Sequence, residues 1–272
     1  MPSHTPLHGA LTLHALPALE SNYIWAIVNR CTRQVAVVDP GDATVVLDWL
    51  TQQSPALELT TIIVTHHHHD HTDGLIDLCC AFPTLTVYGP DSVPSVTQAL
   101  HEGDTFEVLG QLTQVLATPA HTLDHLCYLI TPKDNSAKPI LLTGDTLFMA
   151  GCGRLFEGTA EQMLRNMERF SALPSECAVY AGHEYTLNNL AFALAVEPDN
   201  TAIQVAKARA SAMRAEGQAT LPSTIGLERL TNPFMRTHKT SVVQSIRRHA
   251  DRPELETPVE VLTALRHWKD TF

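Results

Sequence analysis

Positive charge is scarce in this sequence: 18 Lys and Arg stand against 29 Asp and Glu, a formal charge of −11. Proteins that grip phosphate backbones present a basic face, so nucleic acid is excluded as an expected partner. No stretch approaches the ~18 consecutive apolar residues of a membrane span, so no membrane partner is expected either. The opening residues MPSHTPLHGALTLHALPALE lack a basic start and a continuous apolar run, and do not read as an export signal. Six cysteines (Cys31, Cys79, Cys80, Cys127, Cys152, Cys177) form no CxxC pair and no disulfide-framework spacing. Read as reduced thiols, they fit a cytoplasmic protein, expected here to be a soluble monomer. Repeats and low-complexity segments are absent as well.

What is present is an ordinary globular balance, 44% apolar and 17% charged over 272 residues, enough for one large domain or two modest ones. Short runs rich in Val, Ile and Thr read as strands: 23–28, 35–39, 61–65, 85–88, 112–118, 126–130, 140–143 and 178–181. Helical stretches are fewer, at 43–53, 74–81 and 161–172. Successive strands without an intervening helix predict mixed sheets covered by helices, an α/β chain that is not doubly wound. After residue 182 the texture changes to helices at 187–196, 201–216 and 259–269, with no strand-like run. The expected division is 1–182, a catalytic domain, and 183–272, a smaller helical one.

Chemistry concentrates in Thr65-His66-His67-His68-His69-Asp70-His71, directly after a strand. In extended backbone, residues i and i+2 point to one side, so His66 and His68 can converge on one ion. A turn beyond them would carry Asp70 and His71 toward a second ion. Imidazole and carboxylate suit Zn, Fe or Mn. A helical HExxH reading fails because no Glu follows a His in the run. His67 and His69 are expected to face outward. Further ligand types stand at strand ends: His121, Asp145 and His183. Such ends carry loops on a rigid scaffold. His125 competes with His121, and spacing alone leaves the two open.

Together these residues resemble the metallo-β-lactamase fold superfamily. Within it, THHHHDH, GDTLFMAGCGRLFEGT, AGHEYTLNNLAFA, NPFMR and LRHWKDTF are similar to glyoxalase II, the hydroxyacylglutathione hydrolases, over nearly the whole length. The resemblance implies an αββα sandwich followed by an all-helical domain. It also implies a ligand division: His66, His68 and His121 on one metal, Asp70, His71 and His183 on the other, and Asp145 bridging. That choice selects His121 over His125. The implied cofactor is a pair of divalent ions, zinc first, with iron or manganese admissible.

The implied reaction is hydrolysis of an S-(2-hydroxyacyl)glutathione such as S-D-lactoylglutathione, giving glutathione and D-lactate in methylglyoxal detoxification. Two ions about 3.5–4 Å apart share one water and lower its pKa from about 15.7 toward about 7, providing hydroxide without a separate general base. A thiol with pKa about 8.5 departs without a proton donor, which favours a thioester over an amide or alkoxide. Two dications with Asp70, Asp145 and one hydroxide leave roughly +1, so an anionic substrate is tolerated. Glutathione's carboxylates require basic partners. Arg266 and Lys269 share a helix face at i and i+3, although cations at a helix end also complement its dipole. By the resemblance, Arg154, Phe156 and Tyr185 contact the glutathione part. Some relatives have Lys and Tyr where this chain has Arg154 and Phe156, a change in cation geometry and the loss of a hydroxyl. The NPFMR stretch is assigned to packing between the domains.

Four rivals stand beside this reading. A persulfide dioxygenase of the same fold uses mononuclear iron, but the long tail ending in LRHWKDTF argues against it. A secreted β-lactamase lacks support from an export signal, and an RNA-processing relative would need a basic surface. A non-enzymatic metal binder is disfavoured because all seven ligand positions carry competent residues.

Overall fold

The computed structural model describes residues 10–133 and 137–272. Residues 1–9, the first part of the segment read for an export signal, lie outside these. Two six-stranded sheets form the centre. The first runs in sequence order through β1 (Leu11–Ala18), β2 (Asn22–Asn29), β3 (Gln34–Val38), β4 (Glu58–Ile63), β5 (Thr86–Gly89) and β6 (Gln98–Ala99). The second contains β7 (Thr105–Val108), β8 (Gln111–Ala117), β9 (Leu126–Thr131), β10 (Ile140–Gly144), β13 (Ala178–Ala181) and β14 (Ser223–Thr224), in the order β14-β13-β10-β9-β8-β7. Between β10 and β13 in sequence, β11 (Leu147–Phe148) and β12 (Gly151–Cys152) form a separate hairpin.

Side-chain alternation explains the layering. On β2, Tyr23, Trp25 and Ile27 enter the core between the sheets, where they meet Val115, Tyr128, Ile140 and Tyr180 from the second sheet. Ile24, Ala26 and Val28 face the other way, onto α1 (Ala43–Thr51) and α3 (Leu75–Ala81), which contribute Val46, Leu75 and Leu78; the short α2 (His69–Thr72) precedes α3. The outer face of the second sheet is covered by Met163, Met167 and Phe170 of α4 (Ala160–Ser171). The expected αββα sandwich is therefore present. Beyond it lie α5 (Thr186–Val196), α6 (Thr201–Ala215), α7 (Ile225–Thr231), a 3-10 turn at Pro233–Met235, α8 (Thr240–Ala250) and α9 (Pro258–Thr271). No described helix is long and apolar enough to cross a membrane.

The structure adds elements that the sequence pattern did not yield. β1 and α8 are whole elements, and β14 departs from the expectation that no strand follows residue 182. Its two residues pair antiparallel with β13 and bring the helical region onto the edge of the second sheet. Behind it, the buried Glu228 accepts hydrogen bonds from the Ala150 N–H at 2.8 Å, from Asn232 Nδ2 at 3.0 Å and from the Ser223 hydroxyl. Burial lifts its carboxyl to about 7 against those bonds. Asn232 also donates to the Gly151 carbonyl at 2.9 Å, so α7 fixes the hairpin that leads into Gly153 and Arg154. In the NPFMR stretch, Phe234 is buried against Phe192 of α5, while Asn232 at its start reaches the Gly151 carbonyl.

Glu197, at the end of α5, is 5% exposed. It accepts from Arg236 Nε at 2.7 Å, Arg236 Nη2 at 2.8 Å and the Ser241 hydroxyl at 2.6 Å. Burial disfavours its charge, but these donors outweigh burial and hold the carboxyl below its ordinary range. Such a group contributes stability that is complete above its unfolded pKa of about 4.3 and lost as pH falls through the lowered folded value. Glu197→Gln should cost on the order of 2–4 kcal/mol in urea unfolding at neutral pH. The gap to wild type should narrow as pH falls below the unfolded value of about 4.3; a gap independent of pH would contradict the charged pairing.

Candidate metal centre

Strand ends from both sheets converge on one cleft. β4 delivers Thr65 and His66 in extended chain, and α2 then turns Asp70 and His71 back toward them. His121 follows β8, Asp145 follows β10 and His183 follows β13. Among the predicted ligands, three groups of ligand atoms lie within 4.8 Å of one another: His66, His68 and His121; His66, His71 and Asp145; and Asp70, His71 and His183. All seven sequence-predicted metal residues are thus brought together. Asp145 stands between the outer trios. Its Oδ2 is 3.4 Å from Nε2 of both His121 and His183, and its Oδ1 is 3.5 Å from His71 Nε2. Asp70 Oδ2 lies 3.3 Å from His183 Nε2 and 3.4 Å from His71 Nε2.

The imidazoles are oriented from behind. Asp39, at the end of β3, accepts from the Thr65 N–H and the Thr65 hydroxyl, both at 2.7 Å, and lies 3.0 Å from His71 Nδ1. Thr65 Oγ1 in turn is 2.9 Å from His66 Nδ1. With Nδ1–H donating in both cases, His66 and His71 present bare Nε2 lone pairs to the cleft. His121 Nδ1 donates to the Arg154 carbonyl at 2.9 Å, again freeing Nε2. His68 differs in presenting Nδ1, 3.1 Å from His121 Nε2.

His125 is buried behind the cage. Its Nε2 accepts from the Asp145 N–H at 3.1 Å, while Nδ1 meets the hydroxyls of Thr118 and Thr146, each at 3.1 Å. It holds the Asp145 turn, and both nitrogens are occupied. His67 and His69 face outward, onto Asp124 and Asp73 respectively. Two glycines allow the close approach. Gly144 has φ of +45°, and a Cβ there would come 2.5 Å from Thr65 Oγ1. At Gly182 a Cβ would come 2.8 Å from Asp145 Oδ1.

Electrostatics and unpartnered atoms both test whether cations fit. Burial, reinforced by the surrounding imidazoles, pushes His66 well below its ordinary pKa, which keeps it neutral and ligand-competent. Burial raises the Asp145 carboxyl, but His71 and His183 outweigh it and hold it low. Burial likewise works against a charged His183, yet Asp145 and Asp70 lift it to about 9. The carboxylates therefore draw positive charge into a buried space. His66 Nε2, His71 Nε2 and Asp145 Oδ1 are buried without any hydrogen-bond partner. Buried polar atoms are seldom left so, and five imidazoles with two carboxylates suit divalent cations. The residues fit the metal.

The cleft, of about 610 Å³, continues from the cage to the other expected residues. Tyr185 stacks on His183 at 4.6 Å between ring centroids, and Phe156 stands exposed over His121 at 5.2 Å. Arg154 is 63% exposed in its side chain, with Nε 3.6 Å from Asp270. Lys269 bonds to the Asn188 side chain, and burial beside Arg266 and Arg154 lowers its pKa to about 8. Arg266 is only 7% exposed and donates to the Cys152 carbonyl at 2.9 Å and to Asp270 at 3.0 Å, so it lines the cleft while bracing its wall. Sequence reasoning missed Asp39, whose signal was an acid at a strand end like the other three, and also Asn188 and Asp270.

This arrangement of strand-end ligands around a two-sheet sandwich defines a metallo-β-lactamase-type metal-dependent hydrolase, and the Metallo-beta-lactamase superfamily model matches residues 22–183. The crystal structure of ETHE1 from Myxococcus xanthus shares the fold, with a TM-score of 0.62 at 24% identity, covering 96% of this chain and 98% of that one. The Hydroxyacylglutathione hydrolase C-terminus model matches residues 184–272. Curated relatives named hydroxyacylglutathione hydrolase match across 96% of this chain and all of their own length, at 49% identity in Pseudomonas putida and 46% in Photobacterium profundum. The chain belongs to the hydroxyacylglutathione hydrolase family.

Replacing Asp39 with Asn should keep most of the fold but set an amide N–H against His71 Nδ1, favouring the tautomer whose Nε2 carries the proton. Bound metal, measured by elemental analysis after dialysis, should weaken about 10–100-fold. Undiminished metal content would count against the orienting role.

Proposed function

We propose that this protein hydrolyses the thioester of S-(2-hydroxyacyl)glutathiones, S-D-lactoylglutathione among them, to glutathione and the 2-hydroxy acid. The observation that carries this reading is one continuous cleft that joins a cage of imidazoles and carboxylates to a cationic mouth, in a chain whose full-length relatives bear that activity as their name. His66, His68 and His121 would hold one cation and Asp70, His71 and His183 the other, with Asp145 shared. Zinc is the favoured metal, with iron or manganese compatible with the same donors. When bound, such a pair supplies an activated water near neutral pH and polarises a carbonyl.

The chain's own groups do the rest. Asp145, facing His121 and His183 equally, keeps both trios on one reacting centre. Arg154 and Lys269, with Arg266 behind them, set three cations against the single carboxylate of Asp270 at the mouth, which receives the glutathione carboxylates. Tyr185 and Phe156 flank the passage between mouth and cage. A leaving thiolate requires no proton donor, in keeping with a cage whose two carboxyls, Asp70 and Asp145, are held below their ordinary range despite burial. We assign residues 1–182 to catalysis and 183–272 to substrate binding. Every residue invoked comes from one chain, so a monomer suffices, and six free cysteines accord with the cytoplasm.

Asp145→Ala should lower bound metal and abolish turnover of S-D-lactoylglutathione. Full turnover by the metal-depleted variant would overturn the shared role, and oxygen uptake with glutathione persulfide in place of hydrolysis would overturn the reaction. Arg154→Ala combined with Lys269→Ala removes two partly exposed ion contacts worth roughly 0.5–1 kcal/mol apiece. KM should rise about tenfold with kcat nearly unchanged. A loss confined to kcat would contradict this placement.

A further inference from the structure

The two outer trios of the cage are supported unequally. The trio of Asp70, His71 and His183 receives one side chain from the turn joining β1 to β2 and one from the first residue of β2. Ser21 Oγ lies 3.0 Å from His183 Nδ1. Asn22 Nδ2 donates to Asp70 Oδ2 at 2.9 Å and to the Asp70 carbonyl at 3.2 Å. Among the described hydrogen bonds, neither residue reaches His66, His68 or His121. The turn itself is stitched to the strand end that bears His183. The Glu184 N–H donates to the Ser21 carbonyl and the Tyr23 N–H to the Gly182 carbonyl, both at 2.8 Å, while the Tyr23 hydroxyl donates to Glu184 at 2.9 Å. Asn22 is 7% exposed, so its amide is committed to these contacts.

We infer that Ser21 and Asn22 are positioning residues for one cation alone, the one assigned to Asp70, His71 and His183; the inference rests on the two-cation reading above. Ser21 accepts from Nδ1–H of His183 and so fixes the tautomer whose Nε2 is a free lone pair. Asn22 occupies one lone pair of Asp70 Oδ2 and holds that oxygen toward His71 and His183. Groups that orient ligands in this way are worth about 10–100-fold in metal affinity. Their loss should weaken one ion by that factor and spare the other, held by three imidazoles that the turn does not touch.

Zinc(II) titration of the full chain against a chromophoric chelator, with zinc per chain measured after dialysis, tests this. Wild type should retain two ions. Ser21→Ala, Asn22→Ala and the double variant should retain one at wild-type affinity and bind the second about 10–100-fold more weakly. Ser21→Thr, which keeps the hydroxyl, should restore the second ion; failure to do so would overturn the role of that hydroxyl. Loss of both ions together, whether or not the variant stays folded by circular dichroism, would overturn the selectivity. Two ions at wild-type affinity in the double variant would overturn the inference and leave the two-cation reading standing. A wild-type chain that retains fewer than two would overturn that reading and the inference with it.

Discussion

Three polar atoms, Nε2 of His66, Nε2 of His71 and Oδ1 of Asp145, are buried without a hydrogen-bond partner. An unsatisfied buried group costs about 1–3 kcal/mol, more if charged. The fold therefore confines several such penalties to a volume a few ångströms across, and the groups share a need that one kind of partner meets. A proton can satisfy a single imidazole; a divalent cation satisfies three or four donors at once. The upward pull of Asp145 and Asp70 on His183 expresses the same negative field.

That concentration of polar groups is affordable only because the scaffold beneath it is apolar and rigid. β4, β8, β10 and β13 all end at the same rim, and the inward residues just below it, among them Ile63, Val115, Leu142 and Tyr180, are buried. A strand end has fixed direction, and the first residue beyond it can leave the ladder without breaking a hydrogen bond inside the sheet. Asp39, just past β3, links one of these ends to α2. It caps the N–H of Thr65 after β4 and orients His71 on α2, so the rim acts as one unit.

The same logic marks what was legible in the sequence. Strands that carry continuous Val, Ile and Leu announce themselves, and a His or Asp just past one is conspicuous; this exposed the candidate ligands and mixed sheets covered by helices, while the αββα layering and the final ligand set came from the family resemblance. β1 was obscured because His14 and Pro17 interrupt its alternation, although its pairing with β2 runs from Leu11 opposite Asn29 to Ala18 opposite Asn22. β14 has two residues and exists only because β13 offers an edge. The choice between His121 and His125 could not be read from spacing, since both follow β8; it depends on which ring turns a nitrogen to its fellow candidate ligands, as His121 does, and which has both nitrogens held by the backbone and hydroxyls behind the cage, a property of tertiary contacts. Asp39 was hidden in Asp-Pro-Gly-Asp, which reads equally well as a turn.

Arg266 and Lys269 show where helical periodicity stops being informative. Spacing by three residues places both on one face of α9, yet their surroundings differ. Arg266 is buried, its guanidinium occupied by the Cys152 carbonyl and Asp270, whereas Lys269 reaches the cleft beside Asn188. A buried guanidinium keeps its charge at any accessible pH. Arg266 therefore acts at the mouth as a fixed positive potential; burial, with Arg266 and Arg154 beside it, depresses Lys269 to about 8, close enough to neutrality for its charge to respond to what it faces. An arriving carboxylate would raise that pKa again, because an opposite charge favours the protonated amine. Attraction at the mouth is in this way strongest when an anion is present, and a chain of net charge −11 can admit an acidic substrate without a basic surface.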